Sequence, residues 1–296
     1  MKNIRFGDKA FDIVNTLVML AVIIVTLGPF WYTLAGSLNE GLDYARGGVF
    51  VWPRKFTLYN YVAVFTDRTI YSAYLVTVAK TVIGTITHVF FTALFAYGIS
   101  RTRLIGRNIY LSIAIFTMFF HGGLIPFYIL LKNLGLLNHF LVYIIPALFS
   151  VWHMIVLMTS FREIHESIIE SAKIDGAGEY QIFFRLVIPL SMPVLAAIAL
   201  FAGVQQWNSY MDSMIYTTSP SLQTIQLYLM KVITNASEAS GLGDRASNII
   251  PQAQQMVNPE TIKMAAMIAT AAPIIAIYPF LQRFFLKGVM LGSVKG

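Results

Sequence analysis

No cysteine occurs among the 296 residues. Disulfides, thiol nucleophiles and cysteine-ligated metals are excluded, although the absence says little about compartment. Charge is nearly as scarce, at 12% of residues against about 25% in an ordinary soluble domain. The five histidines are scattered without ligand spacing, so no metal site is expected. No G-x-x-x-x-G-K-[ST] run is present, so the chain lacks a phosphate-cradling loop and is not expected to hydrolyse ATP. What fills the space is apolar: 57% hydrophobic residues, 14% aromatics and a mean hydropathy of +0.67. The net charge of +7 falls between apolar runs. That placement fits a topology signal and gives no reason to expect nucleic acid.

The first uncharged stretch, about 13–34, is longer than a signal-peptide core and reads as a retained span. Further stretches run over about 71–99, 109–131, 140–161, 186–210 and 264–285, each long enough as a helix to cross roughly 30 Å of hydrocarbon. The second carries one charge, Lys80. With the N-terminus inside, the inner segments hold Lys2, Arg5, Lys9, Arg101, Arg103, Arg107, Arg162, Lys173, Arg185, Arg283, Lys287 and Lys295. The longer outer segments hold only eight Lys and Arg, the asymmetry expected of cytoplasmic loops. The expectation is an all-α membrane protein with six transmembrane helices and both termini cytoplasmic. It forms one domain over 1–296, with extracellular segments at about 35–70 and 211–263.

The most informative segment joins the fourth and fifth spans, about 161–185, and reads FREIHESIIESAKIDGAGEYQIFFRLVIPL into the next span. Glu163, Glu166 and Glu170 share one helical face and Ile164, Ile168 and Ile169 another, which predicts a short amphipathic helix. Asp175-Gly176-Ala177-Gly178 interrupts it, and a second short helix from about Glu179 leads to Pro189. Pattern alone fits either a solvated loop or a helix–turn–helix knob.

The same segment resembles the EAA loop of ATP-binding-cassette import permeases: Glu-Ala-Ala, three residues, Gly, nine residues, then Ile-x-Leu-Pro. Here Glu170-Ser171-Ala172 precedes Gly176 by the required three residues, and nine more lead to Leu186-Val187-Ile188-Pro189. Ser171 replaces the first Ala, and Leu186 and Ile188 exchange aliphatics. The runs HGGLIPFYILLKNLGLLN, QQWNSYMDSMIY and LQRFFLKGVMLGSVKG are similar to segments of the MalG-like carbohydrate-uptake permeases, in particular the group importing oligosaccharides or polysaccharide fragments. The resemblance implies a subunit of a bacterial cell-membrane importer working with a second, related but distinct permease chain. An ATPase dimer that binds ATP and Mg, and an extracellular solute-binding protein, complete the assembly. This chain itself would hold no cofactor. Glu170 would make a charge-assisted contact to the ATPase, with Ser171 beside it. Ala172 would permit close packing, and Asp175 and Gly176 would form the turn.

Polar groups within spans suggest a solute path, because they normally face protein or water. His121 opens His-Gly-Gly, with Pro126 nearby, a composition that can break a helix around a cavity. A helix-packing glycine pair is the alternative. Gln205, Gln206, Trp207, Asn208 and Tyr210, followed by Asp212, offer amides and flat rings suited to sugars, or alternatively an interfacial belt. Lys80 is expected to snorkel to the outer interface, with contact to a carboxylated, uronate-containing sugar as the other reading. His88 and His153 read as interhelical hydrogen-bond partners. A membrane-embedded enzyme or an autonomous secondary transporter would require carboxylates at bilayer depth, and the spans show none.

Overall fold

The computed structural model describes residues 6–48, 51–241 and 258–292. Positions 242–257, within the segment expected to be extracellular, and 293–296 of the tail lie outside the described residues. The chain divides into two compact units, one within Met1–Arg68 and Leu229–Ala272, the other within Thr69–Tyr228 and Pro273–Gly296. Among the described residues there are helices but no strand, only a single bridge between Asn39 and Phe56.

In the first unit, α1 (Phe6–Ser37) keeps its apolar stretch wholly outside the protein core, as a lipid-facing helix requires. Two short helices follow, α2 (Gly41–Ala45) and α3 (Tyr59–Thr66). Asparagines tie the segment between α1 and α3. Asn60 Nδ2 donates to the carbonyls of Ser37 and Asn39, and Thr261 donates to Asn60 Oδ1, each at 2.9 Å. Asn39 accepts from the Lys55 amide and donates to Asp43. The Asn39 hydrogen bond, the largest influence, holds the Asp43 carboxyl below the usual range; desolvation opposes it, and the Arg54 guanidinium adds to the lowering.

The second unit is built on α4 (Thr69–Ser100), an unbroken helix of 32 residues. It packs against α7 (Val151–Arg162) and α11 (Met192–Asn208). Small residues bring α4 and α11 together: a Cβ at Gly84 would meet Gln206 at 2.9 Å, and one at Gly203 would meet Thr85 at 3.3 Å.

The first, second and last apolar stretches fall on helices long and apolar enough to cross a membrane. The last of these is the start of α14 (Pro259–Gly292), after α13 (Ile225–Gly241). The other three are not continuous helices, which corrects the sequence expectation. The third bends by 116° between α5 (Arg107–Phe119) and α6 (Leu124–Asn133). The residues of that break are Phe120-His121-Gly122-Gly123, and Gly123 sits at φ +85, a conformation a side chain resists. The fourth opens with two 3₁₀ turns, Phe140–Tyr143 and Ile145–Ala147, and bends by 49° into α7, whose first turn Ser150 caps.

The fifth does not run straight from 186. A short helix, α9 (Glu179–Ile182), widens into a π-type turn over Phe183–Val187 and continues as α10 (Ile188–Leu190). The chain turns by 82° at Ser191 before α11 starts. Pro189 and Pro193 flank this corner, and a proline lacks the amide that would carry a helix across it.

Candidate functional site: a cavity at two broken helices and a docked helical knob

Two of these breaks, the first and the second, meet the end of α11. A cavity of about 550 Å³ lies inside the second unit. Its wall includes His121 from the first break, Pro146, Ala147, Phe149 and Ser150 from the second, and Ser209 and Asp212 from the junction of α11 with α12 (Met211–Tyr216). Irregular backbone at membrane depth is tolerated where it lines a cavity, because the freed amides and carbonyls find partners there. His88 of α4 and the amides Gln205 and Gln206 complete a wall of mixed donors, acceptors and rings.

The structure divides the sequence candidates. His121, Gln205 and Gln206 line the cavity. Gln206 is buried and its Nε2 donates to the Tyr143 carbonyl at 3.4 Å. Trp207 is buried on another side of α11, against Thr81, Thr85 and Ile274 in an apolar pocket. Asn208 and Tyr210 are not among the residues that line the cavity.

Lys80 does not snorkel. Its side chain is 0% exposed, and its Nζ lies 2.5 Å from Asp212 Oδ2, 3.3 Å from the Ser209 carbonyl and 4.8 Å from the centre of the Tyr143 ring. At mid-helix a neighbouring partner costs less than stretching an ammonium to the interface, and Asp212 supplies one. Asp212 is the residue sequence reasoning undervalued. It lines the cavity, is 21% exposed in its side chain, and accepts a second hydrogen bond from the Ser213 amide at 2.9 Å. The only sequence signal was its place four residues after Asn208 in a polar cluster. A carboxylate therefore does lie beside a span, and the absence of one no longer counts against a secondary carrier.

His88 and His153 pair as expected, Nε2 to Nδ1 at 2.8 Å, joining α4 to α7. His88 Nδ1 contacts the Ala147 carbonyl at 2.6 Å and must donate, since a carbonyl only accepts. In the neutral pair His153 Nδ1–H then donates to His88 Nε2.

At the opposite end of α4 the loop folds as a helix–turn–helix. The first helix is α8 (Glu166–Ile174), which begins after Glu163 and not at it. Ile169 is buried in one core with Met154, Leu157 and Phe161 of α7, Ala96 of α4, and Ile182 and Phe183 beyond the turn. Ile164 packs at the edge, whereas Ile168 is exposed. Each buried aliphatic or aromatic contributes about 1.5–3 kcal/mol, enough to hold the knob on the helices.

The motif spacing has a geometric cause. Gly176 sits at φ +81 and its amide donates to the Lys173 carbonyl at 3.0 Å, while the Ala177 amide donates to the Ala172 carbonyl at 2.9 Å. These two bonds close a Schellman cap on α8, so Ala172 and Gly176 are parts of one turn. Glu170, Ser171 and Asp175 are exposed around it. Among the described residues Glu170 forms one ion pair, with Arg103 at 3.8 Å, and both side chains are well solvated. Glu179 is more engaged: Lys173 and then the Tyr97 hydroxyl hold its carboxyl below the usual range, against a smaller desolvation effect.

Residues 81–290 match the model of a family described as "Binding-protein-dependent transport system inner membrane component". Protein LplC of Bacillus subtilis is 36% identical over all of this chain and 98% of its own length. The polygalacturonan/rhamnogalacturonan transport system permease YtcP of the same organism is 38% identical over 98% and 99%. Among solved structures, a chain of a bacterial ABC transporter involved in import of the acidic polysaccharide alginate superposes with a TM-score of 0.85. It shares 29% identity, covering 95% of this chain and 98% of that one.

Proposed function

Because this chain belongs to the family of binding-protein-dependent transport system inner membrane components, we propose that it is one of two permease subunits carrying a carbohydrate inward through the cavity around Asp212. The protein is a membrane transport subunit and not an enzyme. The carbohydrate assignment rests on its likeness to YtcP and to the alginate transporter, together with a wall of amides, imidazoles and rings. Hydroxyls need acceptors as well as donors, and the Asp212 carboxylate is a strong acceptor. Lys80 contributes by holding Asp212, since a fully buried ammonium does not reach the solute.

The observation that carries the coupling half of the reading is the knob. It is seated on α4 and α7 by Ile169, Ile182 and Phe183, yet leaves Glu170, Ser171 and Asp175 exposed. A rigid, exposed, acidic projection suits a groove on an ATPase dimer that binds ATP and Mg. Its face is then cytoplasmic, and the segments at about 35–70 and 211–263 face the extracellular binding protein. The six-span count, with each bent pair as one span, and a single transmembrane domain follow from the same reading. The second permease is a related but distinct chain.

The test is purification of the tagged chain in mild detergent from cells making all their normal proteins. Stoichiometric recovery of a second permease and an ATPase is expected, with ATP-dependent sugar uptake by the reconstituted complex. A stable homo-oligomer alone, transporting without ATP, overturns the reading.

A further inference from the structure

The knob is connected to the cavity twice. One route is the chain itself, from α9 into α11, but it runs through a π-type turn and an 82° corner. A connection with two such breaks transmits displacement poorly. The other route is a set of side chains that reach α4. Tyr97, in the last turn of α4, donates its hydroxyl to Glu179 Oε2 at 2.6 Å. Glu179 Oε1 pairs with Lys173 Nζ of α8, also at 2.6 Å. The Tyr97 ring packs against Phe183 at 5.1 Å between centres, and the Arg101 guanidinium lies over the same ring at 4.3 Å. One carboxylate at the start of α9 therefore ties both helices of the knob to α4.

Arg101 is the anomaly. Its Nε and Nη2 are buried without a hydrogen-bond acceptor. A guanidinium has donors in a fixed fork and gives them up only at a cost, so two unmade bonds mark a group waiting for an acceptor. Glu179 already feels its charge. We propose that Tyr97, Arg101 and Glu179 form a switchable clamp through which the knob drives α4, Glu179 leaving Lys173 and Tyr97 for the Arg101 fork when the ATPase changes state. This rests on the importer reading of the knob. The three are positioning residues that act through α4, an unbroken rod that places His88 in the cavity wall and Lys80 against Asp212. Bistable elements of this kind are what a ligand-driven equilibrium needs, and only a coupling measurement establishes one.

The absence of cysteine makes that measurement direct. Gln205→Cys places a single thiol of this chain in the cavity wall. The full complex, with its second permease and ATPase, is set in nanodiscs and treated with a membrane-impermeant maleimide, with and without ATP, Mg and vanadate. Labelling is read on this chain's band. The expected result is a several-fold change in labelling rate with nucleotide when Tyr97 is present. Tyr97→Phe removes the hydroxyl and keeps the ring, and Glu179→Gln keeps an acceptor for Tyr97 while removing the charge that Arg101 attracts. Both should bring the ratio close to one while the ATPase stays bound and hydrolysis continues. A full nucleotide-dependent change in Glu179→Gln overturns the clamp, whether or not Tyr97→Phe assembles. A ratio of one in Gln205→Cys with the ATPase bound and hydrolysing also overturns the clamp, whereas failure of any ATPase to co-purify with this chain overturns the importer reading instead.

Discussion

Replacing Lys80 by Met tests whether the buried ion pair holds the cavity wall. Met keeps the length and apolar stem of Lys and deletes the ammonium. The change removes the 2.5 Å contact to Asp212, the 3.3 Å contact to the Ser209 carbonyl and the cation–π contact to Tyr143. Asp212 then keeps its bond from the Ser213 amide but loses its counter-charge. Removing one partner of a buried pair costs about 3–5 kcal/mol, chiefly because the other charge is left uncompensated. Asp212 is 21% exposed and borders the cavity, so water relieves part of that, and about 3 kcal/mol is the expected loss. That is about a hundredfold in the folded ratio. Lys80→Met/Asp212→Asn removes both charges together and should recover most of the stability, giving a coupling energy of about 2–3 kcal/mol. The assay is unfolding of the purified chain in mixed micelles on titration with a denaturing detergent, for wild type, both single variants and the double. If Lys80→Met unfolds at the wild-type midpoint, or the double variant loses the sum of the singles, the pair does not organise the wall.

Further expectations attach to the knob, the helix contact and the segment between α1 and α3. Gly176→Val forces a branched side chain into φ +81 and should cost about 1–2 kcal/mol, abolishing ATP-driven uptake while membrane insertion, read by fractionation, is retained. Glu170→Ala should abolish uptake without altering the thermal midpoint, since Glu170 is exposed with only a 3.8 Å contact to Arg103. Gly84→Leu drives a side chain into Gln206 and should destabilise by about 1–3 kcal/mol in the same unfolding assay. Asp43, whose folded carboxyl titrates below its usual range, supports the segment between α1 and α3 above that range and loses its support as pH falls through the folded value. Hydrogen exchange of 39–56 should therefore speed up on acidification in wild type and change less in Asp43→Asn.

Hydropathy located the apolar stretches because it measures composition, and six stretches in the sequence fall on three long helices and three bent pairs. It did not locate the corners, because a corner needs only one or two residues. His121-Gly122-Gly123 was legible as a weak point from its glycines, and Gly123 does adopt a positive φ there. The corner at Ser191 was written just as plainly in Pro189 and Pro193, but those prolines sat in what reads as the entrance to an apolar run. The knob was legible to within a few residues because amphipathic spacing, a glycine stop and a motif agree at one place, and the Schellman cap gives the Ala172–Gly176 spacing its physical cause. Side-chain pairing across distant segments was not legible. Lys80 and Asp212 are 132 residues apart and Tyr97 and Glu179 are 82 apart, and no local pattern records either contact. A lone charge in an apolar run should therefore prompt a search of every polar cluster at the ends of other spans. In hydrocarbon the cost of leaving it unpaired exceeds any local preference, and snorkelling is the fallback when that search finds nothing.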